Sequence, residues 1–183
     1  MNERRIITRR LELQAVTAET AAAVVEGSES LARALQVRVP DDWPPRVAGD
    51  DGAMARTGFA FVRDRLTDDP TLVGWWGWFV LLKSGPAMLI GAVSPKGPPD
   101  SEGTVEVSYG IVASCQGRGY ATEVTTALME WVKRHPRTRR IIAETFPDMA
   151  ASIAVMRKCG LSFIGAGSEA GTVRYGDDVA SSR

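Results

Sequence analysis

The chain has 183 residues, 44% of them hydrophobic, with 22 lysines plus arginines against 22 aspartates plus glutamates. That length supports one domain, residues 1–183, with a core of its own; a net charge of zero supplies no global field to recruit nucleic acid or an anionic membrane. Cys115 and Cys159, the two cysteines, are too few for a disulfide scaffold and read as small buried hydrophobes, which suits a reducing cytoplasm.

Residues 1–5 lack the apolar core of an export signal. Residues 6–13 alternate charged and apolar side chains and read as the first strand. Thr17 caps a helix that runs through Glu26 and stops at Gly27, and residues 30–36 form a second, shorter helix. Pro40, Pro44 and Pro45 make the next stretch a loop, because proline lacks a donor and disfavours helix before it. Residues 50–65 carry a weaker helical pattern, with Met54, Phe59, Val62 and Leu66 as its apolar positions, before a turn at 67–70. Residues 73–82 are tryptophan-rich and read as a strand, far shorter than the ~20 residues a bilayer-spanning helix needs. Strand geometry then sends Trp75 and Trp76 to opposite faces, so that one of them can line a substrate groove. A turn at 83–86 and a strand over 88–94 complete an antiparallel hairpin, and residues 95–100 loop onward.

Residues 105–122 organise the second half of the chain: a strand, a turn carrying Gly117 and Gly119, and the start of a helix at Tyr120. That order leaves unpaired backbone N–H groups at the positive end of a helix dipole, where a phosphate can sit. Ala121, Val124, Leu128 and Val132 recur at helical spacing and turn one face to a sheet. His135 and Pro136 end that helix, 141–143 is a strand, Asp148 caps the next helix and Gly160 ends it; 161–164 and 172–175 are closing strands, and 180–183 frays. A dinucleotide fold would want a small residue where Thr122 stands, and no Gly-Lys-Ser/Thr comes after the turn to make a P-loop. Residue spacing alone defines a phosphate-binding turn.

The pattern Gln116-x-x-Gly119-x-Ala121 resembles the Q/R-x-x-G-x-G/A signature of the GNAT superfamily of N-acetyltransferases. Glu106 on the preceding strand, and Ala151-Ser152-Ile153-x-x-Met156-x-Lys158-x-Gly160-Leu161 after it, are similar to further family motifs of the ribosomal-protein-alanine acetyltransferase branch, over roughly residues 88–175. The resemblance implies an α/β (α+β) fold, a mostly antiparallel, splayed sheet with helices on both faces, and acetyl transfer from acetyl-coenzyme A to an amine with no metal. It implies a pantetheine arm along Ile111, Val112 and Ala113, added to the strand edge by backbone hydrogen bonds. Gln116, Gly117, Arg118, Gly119, Tyr120, Ala121 and Thr122 would then surround the pyrophosphate.

The amine must be neutral to attack, which at pH 7 costs about 4.6 kcal/mol for a lysine-like amine and about 1.4 for an α-amine near pKa 8. Glu106 is the candidate base, directly or through water; the alternative is a solvent-facing glutamate of an alternating strand. Glu144 is a secondary base candidate. The family's helix tyrosine, proton donor to the leaving thiolate, has no counterpart over 150–159, so Ser152 is the candidate donor or sulfur partner, with a capping role as its alternative. Met149 stands where the family has asparagine, which removes one amide contact. His135, the single histidine, reads as a solvated loop residue that cannot build a zinc site, and the basic cluster around it reads as a solvated face rather than a coenzyme or RNA surface. A noncatalytic acyl-coenzyme A-binding regulatory module and an RNA- or ribosome-associated binding protein are the competing functions. A homodimer is compatible with the sequence, and the acceptor amine depends on loops around 27–70 and 95–103.

Overall fold

The structure, a computed structural model, describes residues 4–45 and 53–179. Eight strands form one sheet in the order β1-β2-β3-β4-β5-β6-β8-β7: β1 Arg5–Ile7, β2 Leu11–Ala15, β3 Trp78–Leu82, β4 Met88–Pro95, β5 Thr104–Ile111, β6 Arg140–Thr145, β7 Ser162–Ala166 and β8 Val173–Asp178. Every neighbouring pair is antiparallel except β5 and β6. Five helices accompany it, α1 Ala18–Glu26, α2 Ser28–Leu35, α3 Ala53–Asp68, α4 Tyr120–Lys133 and α5 Ala150–Lys158.

The expected first strand is a hairpin instead. Thr8 makes the turn, its backbone N–H donating to the Leu11 carbonyl at 2.9 Å and its hydroxyl accepting from the Leu11 N–H at 3.1 Å. The in-out alternation continues across such a turn, so periodicity alone does not reveal it. The tryptophan-rich strand is shorter than expected, starting only at Trp78, because Gly74 (φ 94°) and Gly77 (φ 144°) take backbone conformations that side chains oppose and a short 3-10 turn over Pro70–Leu72 precedes them. Thr17 does cap α1, in a reciprocal box with Thr20. Asp148 does not cap α5: the cap position is Met149, without a side-chain bond, and the Asp148 carbonyl accepts from Ala150 N–H at 2.9 Å. The expected start of α3 at Asp50 lies outside the described residues.

Alternation along β3 builds the core on both faces of the sheet. Trp78, fully buried, sets its ring edgewise on Trp131 of α4 at 5.2 Å, while Phe79 turns the other way and stacks on Phe59 of α3 at 5.7 Å. Trp75 packs against Trp131 and His135, and Trp76 against Phe61. The two tryptophans do part company, through the bend at Gly74 to Gly77 rather than through strand geometry.

One irregularity of the sheet positions the candidate site. β5 pairs with β6 only over Thr104 to Glu106, opposite Arg140 to Ile142, and with β4 only over Val107 to Ile111. Beyond Glu106 and Ile142 the two parallel strands separate, while β6 stays paired to β8 along its whole length. The sheet is splayed at that point.

Candidate active site

At the far end of β5 a single 3-10 turn, Ala113–Cys115, carries the chain into the glycine turn. The Gln116 amide donates back to the Ile111 carbonyl at 2.8 Å and fixes where the turn begins. Gly117 (φ 75°) and Gly119 (φ 76°) are both left-handed, and Gly119 is the cap of α4. Among the described residues, the backbone N–H groups of residues 117–122 donate no hydrogen bond; the helical ladder starts with Glu123 N–H to the Gly119 carbonyl at 3.1 Å. A run of open donors at the positive end of a fourteen-residue helix suits a pyrophosphate.

The turn is held from a distance. Glu123 accepts from the Thr8 hydroxyl at 2.6 Å, the Arg10 N–H at 2.9 Å and the Arg10 Nε at 2.7 Å. Burial would raise its pKa, but the bonds from Thr8 and Arg10 and the arginine's charge outweigh it and hold the carboxyl below its ordinary range. The Arg10 guanidinium also donates to the Arg118 carbonyl at 2.9 Å and lies 4.5 Å from the centre of the Tyr120 ring. The Arg118 side chain itself donates to the Ser114 carbonyl at 3.3 Å, which keeps it at the turn.

Along β5, Glu106, Ser108 and Gly110 share one face, and Val105, Val107 and Tyr109 the other. Glu106, with 23% of its side chain exposed, forms an ion pair with Lys96 on the loop after β4. On the opposite face Tyr109 reaches across the splay to α5: its hydroxyl donates to the Ser152 carbonyl at 2.9 Å and lies 3.1 Å from the Ser152 hydroxyl. Burial pushes the Tyr109 pKa up, the Ser152 bond opposes that, and the nearby Cys159 adds to it, so the phenol stays protonated at neutral pH. Tyr109 is a site residue that sequence reasoning missed; the signal was present, a tyrosine in the strand rather than on the helix where the family carries its own.

The remaining candidates divide by their partners. Ile111 and Val112 are buried and the Val112 N–H donates to Ile90 of β4 at 2.9 Å, whereas Ala113 is exposed at the mouth of the turn. Glu144 is saturated: it accepts from Arg174 Nε at 2.7 Å and from the Ser168 N–H and hydroxyl at 2.8 and 2.9 Å. Burial would raise its pKa, but the bonds from Ser168 and Arg174 and the arginine's charge outweigh it and hold the carboxyl below its ordinary range. His135 is half-buried against the Trp75 ring at 5.1 Å rather than free in solvent, and that burial, with Arg137 nearby, lowers its pKa. In the basic cluster, Arg140 pairs with Asp178 at 2.6 Å and Arg137 donates to the Asp100 carbonyl at 3.2 Å. Cys115 is buried and Cys159 only partly so, its thiol 3.7 Å from the Thr122 carbonyl. Met149 takes the Thr145 hydroxyl on its sulfur at 3.3 Å. Among the described residues no group of three or more acidic, histidine or cysteine side chains is arranged to hold a metal ion, and no helix is long and apolar enough to cross a membrane.

On the Glu106 face, α3 and residues 43–45 roof a cavity of about 480 Å³ over β3 to β5. Trp43, Phe59, Phe61, Trp76 and Trp78 line it, Lys96 and Ser108 are among its few polar members, and Tyr109 borders it. The splay and this cavity therefore meet along the middle of β5, and the glycine turn follows its end.

A splayed sheet with an open-amide turn on its central strand suits a phosphate-bearing ligand. Residues 10–162 match the acetyltransferase (GNAT) domain family, and the chain belongs to it: it is an acetyltransferase whose cosubstrate is acetyl-coenzyme A. The uncharacterized N-acetyltransferase YjdG of Bacillus subtilis is 23% identical over 153 residues, covering 84% of this chain and 86% of that protein. Among solved structures, the ribosomal-protein-S5-alanine acetyltransferase of Vibrio fischeri superposes with a TM-score of 0.67 at 14% identity, covering 99% of this chain and 100% of that one. RimL, a ribosomal L7/L12 alpha-N-protein acetyltransferase in complex with coenzyme A, gives 0.65 at 18% identity, covering 96% and 98%.

Proposed function

We propose that this chain, acting as one domain, moves an acetyl group from acetyl-coenzyme A to a primary amine by direct attack in a ternary complex. One observation carries the reading: β5 ends in a turn of open amides and presents Glu106 on one face and Tyr109, with Ser152, on the other, at the point where the sheet parts. The amides of residues 117–122 and the positive end of α4 suit the pyrophosphate, and the edge of β5 toward Ala113 suits the pantetheine arm, so the residues present fit the cosubstrate. When bound, acetyl-coenzyme A supplies the activated acetyl group.

Glu106, directly or through one water, takes the proton from the attacking amine; a base of this kind supports turnover most where the amine is lysine-like and costs about 4.6 kcal/mol to deprotonate at pH 7. Lys96, which lines the cavity, holds the Glu106 carboxylate by an ion pair. As the C–N bond forms and the C–S bond breaks, the Ser152 hydroxyl delivers a proton to the leaving sulfur, and Tyr109, bonded to it, makes up that proton. Of the two protons an arriving ammonium sheds, Glu106 takes the first and passes it to water. The second, lost as the amide forms, returns to the Ser152–Tyr109 pair that gave one to sulfur, so amide, thiol and one released proton balance.

The test is thiol release with an amine panel, beside calorimetric binding of coenzyme A. Glu106→Gln is expected to lower kcat at least tenfold with coenzyme A affinity unchanged, and Ser152→Ala and Tyr109→Phe to lower it less. An unchanged pH profile for Glu106→Gln removes it from the mechanism. Coenzyme A binding with no turnover of any amine favours the regulatory module.

A further inference from the structure

We infer that the acceptor is a small molecule bearing one primary amine on an apolar, ring-containing body, seated in the cavity beneath α3; this rests on the transferase reading above. The cavity has the size of a small-molecule site, about 480 Å³, and Trp43, Phe59, Phe61 and Trp76 are the aromatic side chains of its lining on the α3 side of the sheet. Such walls reward an apolar body and leave a peptide main chain, with a donor and an acceptor at every residue, short of partners. Charge narrows the choice further. Among the described residues, Lys96 is the one charged side chain in the lining, and the Arg65 guanidinium lies 5.0 Å from the Phe61 ring centre and 6.0 Å from that of Trp76. Glu106, paired with Lys96 of the lining, is the carboxylate assigned to the amine. A polyamine or aminoglycoside would bring further ammonium groups toward these cations, whereas a neutral or anionic remainder suits them.

Gly58, exposed on α3, borders this space. It sits inside α3, where glycine destabilises a helix by about 1 kcal/mol relative to alanine. A Cβ built on it meets nothing within 4 Å, and it lines the cavity beside Phe59. Backbone conformation does not require glycine there, since its φ is not in the left-handed region. A large side chain at 58 would stand at the border of that space.

The experiment compares 2-phenylethylamine and tryptamine with putrescine, ethanolamine and a hexapeptide N-terminus, by thiol release and by calorimetric binding to the coenzyme A complex, in the wild-type chain, Gly58→Ala and Gly58→Leu. The expected result is a kcat/KM at least tenfold higher for the ring-bearing amines. Gly58→Leu should abolish that preference and Gly58→Ala reduce it less, with coenzyme A affinity intact and thermal stability equal or higher in both. Equal turnover of putrescine or of the peptide, or an unchanged ranking in Gly58→Leu, overturns the inference and leaves acetyl transfer standing. Ring-bearing amines that bind, lose binding in Gly58→Leu, and are never acetylated keep the cavity's ligand class but overturn the transferase reading and, with it, the role of these amines as acceptors. Failure of every amine to bind or react overturns both.

Discussion

Replacing Glu123 by glutamine separates the charge of the Arg10–Glu123 contact from its shape. The amide oxygen can keep the two bonds that Oε1 accepts, from the Thr8 hydroxyl and the Arg10 N–H. The amide NH2 then faces the Arg10 Nε–H, donor against donor, where Oε2 now accepts at 2.7 Å with the two side chains 33% and 17% exposed. Loss of one hydrogen bond between charged groups is worth about 1.5–3 kcal/mol, and loss of a carboxylate in the first turn of α4 adds about 0.3–1 kcal/mol from the helix dipole. A total of about 2–4 kcal/mol lowers Tm by about 4–16 °C in a domain of this size. The Glu123 pKa is depressed in the fold, so its stabilisation is complete above the ordinary value of 4.5 and is lost as pH falls through the folded value. Calorimetric scans from pH 7 to pH 3 should therefore show a gap between the two proteins that narrows below pH 4.5. Coenzyme A affinity should fall several-fold at pH 7, because Arg10 also ties down the Arg118 carbonyl. Equal Tm values at pH 7, or a gap that persists at pH 3, would refute this account.

Gly119→Ala and Gly85→Ala both place a side chain at positive φ, 76° and 73°, and each should cost about 1–2 kcal/mol; only the first should weaken coenzyme A binding, by tenfold or more in calorimetry, since Gly85 lies in the β3–β4 turn. In the core, Trp78→Phe should destabilise more than Trp131→Phe, by about 1 kcal/mol in urea unfolding. Trp78 Nε1 donates to the Gly74 carbonyl at 2.8 Å, whereas Trp131 Nε1 is buried without a partner among the described residues, so its loss leaves no acceptor stranded. Glu144→Gln should lower Tm by several degrees and leave the pH profile of turnover unchanged, because Arg174 and Ser168 occupy its carboxylate.

The parts of the fold legible in the sequence are the local ones. The order strand, glycine turn, helix over residues 105–133 reads directly from Gly117, Gly119 and the apolar positions of α4, and the splayed, mostly antiparallel sheet was implied by the family resemblance those residues carry. Contacts between distant segments were not legible: Arg10 and Glu123 are 113 residues apart, and Tyr109 and Ser152 are 43 apart. No local period links such pairs, because only tertiary packing brings them together. The tryptophan-rich segment misled for the opposite reason. Its composition favours a strand, but two glycines in conformations closed to other residues bend the chain before one can form.

The brevity of the β5–β6 pairing has a mechanical consequence. Three residue pairs are the seam between a five-strand half-sheet and a three-strand one, and the Tyr109–Ser152 contact is a single stitch beyond it. A molecule lying in the opening touches both halves, so it acts as a clasp. Hydrogen exchange should then slow on cosubstrate binding at Ala143, Glu144 and Thr145, on the far half from the glycine turn, as much as at the turn itself.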